Sequence, residues 1–87
     1  MSGRPPQDDG ILAGVSAILA RSARMNPSAV GRDSRLRDGF GIDSLAMIDL
    51  AVAAEDEFGV RIPDEAAERF ETVGDVVDFI RRAGAGA

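Results

Sequence analysis

The sequence predicts an all-α fold: a small four-helix bundle with three longer helices, one short helix 3, and a long loop between helices 1 and 2. Three observations carry this. Apolar residues recur at i, i+3/i+4 and i+7 in separate stretches. Asn26-Pro27, Gly59 and Thr72 stand where helices stop or start. No stretch reads convincingly as a strand. With 87 residues, 45% apolar and 29% charged, the chain is of single-domain size. The domain is expected over 8–83, with flexible tails at 1–7 and 84–87.

Helix 1 is placed at about 9–23. Asp8 and Asp9 complement the dipole at its start, Ile11, Leu12, Val15, Ile18 and Leu19 form one apolar face, and Asn26-Pro27 stops it. Residues 26–42 form a connection rich in Gly, Ser, Arg and Asp, with Leu36 and Phe40 expected to pin it to the core. A loop this long in a small domain tends to be functional. Helix 2 runs over 44–58, free of Gly and Pro, and Gly59 is its C-cap. Val60–Pro63 crosses in an extended form, and Asp64 is expected to cap the short helix 3, DEAAERF. Thr72 and Asp75 fit a capping box. Val73, Val76, Val77 and Ile80 define helix 4 over about 73–83, with Arg81 and Arg82 in its last turn and a frayed Gly-Ala end from Gly84.

Composition excludes much chemistry. The chain lacks Cys, His, Lys, Tyr and Trp, and all ten basic residues are Arg. A thiol nucleophile, a thiolate metal site, an imidazole base and Schiff-base chemistry are therefore absent, and neither catalysis nor a metal centre is expected. No apolar run is long enough to cross a bilayer and no secretory leader is legible, so the expected location is the cytoplasm, with no membrane partner.

The net charge is −5, and it sits in one place. Residues 43–58 carry Asp43, Asp49, Glu55, Asp56 and Glu57 without a single Arg, whereas residues 1–42 carry six Arg against four Asp. Nucleic acid is thereby disfavoured as a partner, and a basic protein surface is favoured.

Helix 2 carries two apolar stripes. At about 100° per residue from Leu45, the residues Met47, Leu50, Ala51, Ala54 and Phe58 fall at roughly 140–240°, a face of core width. Leu45, Ile48 and Val52 fall at roughly 300–360°, flanked by Asp49, Asp56 and Glu55. One face of a bundle helix is buried, so the second stripe is expected to be exposed, an apolar centre with an acidic rim as in a docking surface. The competing reading puts these three residues in the core, under the long loop.

Ser44 opens helix 2 beside that stripe. Position alone reads it as an N-cap. A helix N-terminus also stabilises phosphate through free N–H groups and the dipole, which suits a phosphodiester on Ser44. A hydrolase built on this serine would lack a base.

The run Gly41-Ile42-Asp43-Ser44-Leu45 resembles the Asp-Ser-Leu signature of acyl carrier proteins. Glu55-Asp56-Glu57-Phe58-Gly59-Val60-Arg61-Ile62-Pro63-Asp64-Glu65 is similar to that family's acidic helix end and Ile-Pro-Asp turn, and Thr72 to Ile80 to its last helix. The resemblance spans about residues 8–83. It implies that Ser44 carries 4'-phosphopantetheine, transferred from coenzyme A by a phosphopantetheinyl transferase, and that the thiol this chain lacks arrives with it to hold acyl thioesters. It implies partners with basic docking patches, such as ketosynthases and acyltransferases, met through Asp43, Leu45, Ile48, Asp49, Val52, Glu55 and Asp56 by a monomeric carrier. It also implies an acyl-chain cavity, for which Met47, Ala51, Ala54, Ile62, Ala67 and Phe79 are the candidate liners. Ala46 stands where many fatty-acid carriers have an acid and where carriers for aromatic polyketides often have alanine, whereas the glycine before Ile42 and the Thr72-Val73-Gly74-Asp75 helix start look more like fatty-acid or mycolate-type carriers. Arg without Lys, with abundant Ala and Gly, fits a free-standing carrier of actinobacterial type. The reading from another class is an unmodified helical adaptor binding a basic partner through helix 2.

Overall fold

In the computed structural model, which describes residues 8–23 and 26–85, the elements run α1 (Asp8–Ala23), a 3-10 turn (Pro27–Ala29), α2 (Arg37–Phe40), α3 (Ser44–Phe58), α4 (Asp64–Arg69) and α5 (Val73–Ala85). The four helices expected from the sequence are α1, α3, α4 and α5; α2 is an extra turn inside the long connection. The tail expected at 1–7 lies outside the described residues. So do residues 86–87, but Gly84 and Ala85 continue α5 and are not a tail.

The core follows the apolar periodicities. Ile11, Val15, Ile18 and Leu19 of α1 are buried against Met47, Leu50, Ala51 and Ala54 of α3 and Val73, Val76, Val77 and Ile80 of α5. One close approach escapes the pattern: a Cβ on Gly14 would run into the tip of the Phe58 ring. Gly14 thus admits the half-buried Phe58 to the α1–α3 seam. Replacing Gly14 with valine forces the ring out and is expected to lower stability by about 1–3 kcal/mol. A urea midpoint at or above wild type would refute that role.

Helix ends follow local chemistry. Past α1, Asn26 Oδ1 accepts from the Ser28 amide at 3.0 Å and from Ser28 Oγ at 2.8 Å, an Asx turn over Pro27. Gly41 and Gly59 close α2 and α3 with φ of 68° and 65°, where a β-carbon is disfavoured. α4 differs from expectation: Pro63 occupies the N-cap position without a side-chain bond, and Asp64 is already helical. Asp64 therefore acts on the dipole of the first turn rather than as a cap. The capping box of α5 forms as expected. The Asp75 amide donates to Thr72 Oγ1 at 3.2 Å, and Asp75 Oδ2 accepts from the amides of Thr72 and Glu71.

The long connection is laced to the start of α5. The Leu36 amide donates to Glu71 O, and those of Val73 and Gly74 donate to Ser34 O and Arg32 O, all within 2.8–2.9 Å. A Cβ on Gly74 would sit 3.1 Å from Arg32 O, so glycine lets the two backbones meet. Leu36 is fully buried and Phe40 half-buried, as pins. Arg32 Nη2 meets Asp78 Oδ1 at 2.9 Å. The hydrogen bond from Arg32, together with the charges of Arg32, Arg81 and Arg82, outweighs desolvation and holds the Asp78 carboxyl below the usual carboxylate range. Its folded pKa is depressed, so this tie stabilises above the unfolded pKa and is lost as pH falls through the folded one.

Candidate functional site

The backbone leaves the core at Ile42, which is buried and donates its amide to Leu36 O at 3.0 Å. The next three residues, Asp43, Ser44 and Leu45, are exposed. Asp43 rather than Ser44 is the N-cap of α3: its backbone is extended (φ −85°, ψ −176°), and its Oδ1 accepts from the Ala46 amide at 2.8 Å. Ser44 is the first helical residue. Its hydroxyl has no hydrogen-bond partner among the described residues, and neither do the amides of Ser44 and Leu45. An exposed oxygen thus stands at the positive end of a 15-residue helix with two donors unspent beside it. That arrangement suits a phosphate ester.

The second stripe of α3 is open. Leu45 is 70% exposed and Val52 51%, while Ile48 is half-buried between them. Asp49 and Asp56 are exposed at its border. The alternative that the long loop covers this stripe is excluded: residues 30–36 turn instead toward the N-terminal end of α5.

Glu55 behaves differently from the other acids grouped with that stripe. It is half-buried, and its Oε2 accepts from the Ile62 amide at 2.6 Å, across the turn that leaves α3. The carboxylate serves the fold first.

The six candidate cavity liners all belong to, or pack against, the one buried cluster. Met47, Ala51, Ala54, Ile62 and Ala67 belong to the closed core, and Phe79 lies half-buried against Phe70, ring centroids 5.7 Å apart. A groove of about 270 Å³ lies elsewhere, lined by Arg35, Arg37, Asp38, Glu68, Arg69, Phe70 and Glu71. The sequence carried no sign of it, because it exists only where α2 meets the end of α4. Among the described residues no helix is long and apolar enough to cross a membrane.

Comparison with known proteins bears on the same region. A family described as a phosphopantetheine attachment site matches residues 13–80. The chain is 42% identical over 78 residues to an acyl carrier protein of Renibacterium salmoninarum, covering 90% of this chain and 96% of that one. It is 42% identical over 73 residues to an acyl carrier protein of Acidothermus cellulolyticus, covering 84% and 87% respectively. It is also 38% identical over 78 residues to the meromycolate extension acyl carrier protein of Mycobacterium tuberculosis, covering 90% of this chain and 68% of that protein.

Proposed function

The chain belongs to the acyl carrier protein family, and from that membership we propose that Ser44 is the residue to which 4'-phosphopantetheine is attached. As a family member the protein is a carrier and not a catalyst, acting in fatty acid or polyketide synthesis with phosphopantetheine as its cofactor. The observation that supports Ser44 is its exposed hydroxyl at the first position of α3, left free because Asp43 does the capping. When bound, the group supplies the thiol that a chain without Cys cannot provide, and that thiol holds acyl chains as thioesters. The chain's own part is to offer one oxygen, to set a helix dipole against the phosphodiester, and to keep a recognition surface beside it.

That surface is the stripe of Leu45, Ile48 and Val52 with Asp49, Asp56 and Asp43 around it. It fits a phosphopantetheinyl transferase and acyl-processing enzymes, ketosynthases and acyltransferases among them, that present basic patches to a monomeric carrier in the cytoplasm. Rim charges raise on-rates more than affinity, which suits a shuttle that must leave again. Reversing Asp49 and Asp56 together to Arg is expected to slow modification by at least about tenfold at low salt, with the helical circular dichroism unchanged. Equal rates for variant and wild type would place docking on another face.

The reading is tested by incubating the chain with coenzyme A and a promiscuous transferase and weighing it intact. A gain of one phosphopantetheinyl unit is expected. No gain with several transferases overturns the assignment and leaves the unmodified adaptor.

A further inference from the structure

The groove of about 270 Å³ between α2 and the end of α4 has polar, charge-balanced walls: Arg35, Arg37 and Arg69 stand against Asp38, Glu68 and Glu71. Few of these groups are spent. Arg35 Nε meets Asp38 Oδ2 at 3.3 Å, with both side chains mostly in solvent, and such pairs are individually weak. Arg37 Nη2 donates to Glu68 O at a long 3.3 Å. The Arg69 guanidinium and the carboxylates of Glu68 and Glu71 have no partner among the described residues. Phe70, the one apolar lining residue, is buried. A groove of net charge calls for an ion and an apolar groove for a hydrocarbon; balanced donors and acceptors suit a neutral ligand rich in both.

Chain connectivity sets this groove close to Ser44. The Ile42 amide donates to Leu36 O at 3.0 Å, Leu36 stands between Arg35 and Arg37, and Ser44 follows Ile42 by two residues. Standard backbone lengths then keep the Cα of Ser44 within about 19 Å of those of Arg35 and Arg37. A phosphopantetheine arm has about fourteen bonds in line from the serine oxygen to its sulfur, about 16 Å at the rise of an extended chain, and a long arginine side chain closes the remainder. We infer that the groove is a resting place for this arm, with Arg37 and Arg69 donating to its amide carbonyls and Glu68 and Glu71 accepting from its N–H groups. The inference rests on the carrier reading above. It concerns the arm alone: without an exposed apolar wall, the groove offers an acyl chain no burial. Bonds of this kind replace bonds to water and are individually weak, so a partner docked on α3 can draw the arm away.

The test is solvent exchange of the arm's own two amide protons, measured by nuclear magnetic resonance on chains loaded with a nitrogen-labelled arm. Wild type is compared with R69A/E71A, a charge-neutral pair of changes at exposed groove positions, and with E57A/R82A, an equally neutral and exposed pair outside it. At least one arm amide is expected to exchange at least about threefold more slowly on wild type than on R69A/E71A, the ratio for one solvent-exposed hydrogen bond. E57A/R82A should match wild type. On loading, the Arg69 Nε–H signal should move, while the amide signals of Val15 and Val77 stay. Equal exchange on wild type and R69A/E71A overturns the groove as a resting place. So does an equal gain in rate for both variants, and so does an unmoved Arg69 signal. A wild-type chain that takes up no arm overturns the attachment at Ser44 and this inference with it, whereas a loaded chain with equal rates overturns the groove alone.

Discussion

Ser44→Ala is expected to abolish the phosphopantetheinyl mass gain completely and to leave the bundle as stable as before. The two halves of this result come from different parts of the structure. Loss of modification follows from removing the one oxygen proposed to form the ester; the neighbouring residues Asp43 and Leu45 offer a carboxylate already bonded to the Ala46 amide and a hydrocarbon. Retention of stability follows because the hydroxyl has no partner among the described residues and its Cα lies in a helix, where alanine is well tolerated. The change in unfolding free energy should stay within about 0.5 kcal/mol. A persistent mass gain would move the attachment elsewhere. A collapsed melting transition would mean that Ser44 carries a structural duty hidden by its exposure.

Leu36→Ala is expected to be the most damaging single truncation in the connection, costing about 2–5 kcal/mol. That is a large fraction of the total for a chain of this size. Leu36 is fully buried, and its backbone works at both ends: its amide donates to Glu71 O, and its carbonyl accepts from the Ile42 amide. The first bond ties the loop to the segment that leads into α5, and the second sets where the chain emerges just before Ser44. The variant should therefore unfold at lower urea and, where still folded, be modified more slowly than wild type. An unchanged urea midpoint would show that the connection is held by its exposed pairs, which are individually weak. Slowed modification without any loss of stability would assign Leu36 to partner recognition instead.

Much of this molecule could be read locally. The periodicity of Ile11 to Leu19 and of Val73 to Ile80 marks the faces that are buried, and the capping box at Thr72 and Asp75 forms with both of its reciprocal bonds. The division of α3 into Met47, Leu50, Ala51 and Ala54 inside and Leu45 and Val52 outside follows from counting residues around a helix. The short α2 went unread because four residues hold too little pattern, although Gly41 after Phe40 has the chemistry of a helix end. The Gly14 contact with Phe58 went unread because nothing near Gly14 in the chain points to a ring 44 positions away.

Helix faces, helix ends and the acidic run from Asp43 to Glu57 are properties of neighbouring residues, so the order of the amino acids alone determined them. Tertiary structure decided which of several equivalent groups takes which partner. Asp43 and Ser44 can both cap a helix, and the path of the chain out of the core at Ile42 gave the task to the aspartate, leaving the serine oxygen in solvent. Glu55 and Asp56 are adjacent acids, yet the reversal at Gly59 brings the Ile62 amide to one and leaves the other at the surface. A hydrogen bond depends on a few tenths of an ångström and on direction, and those are set only when distant segments have packed.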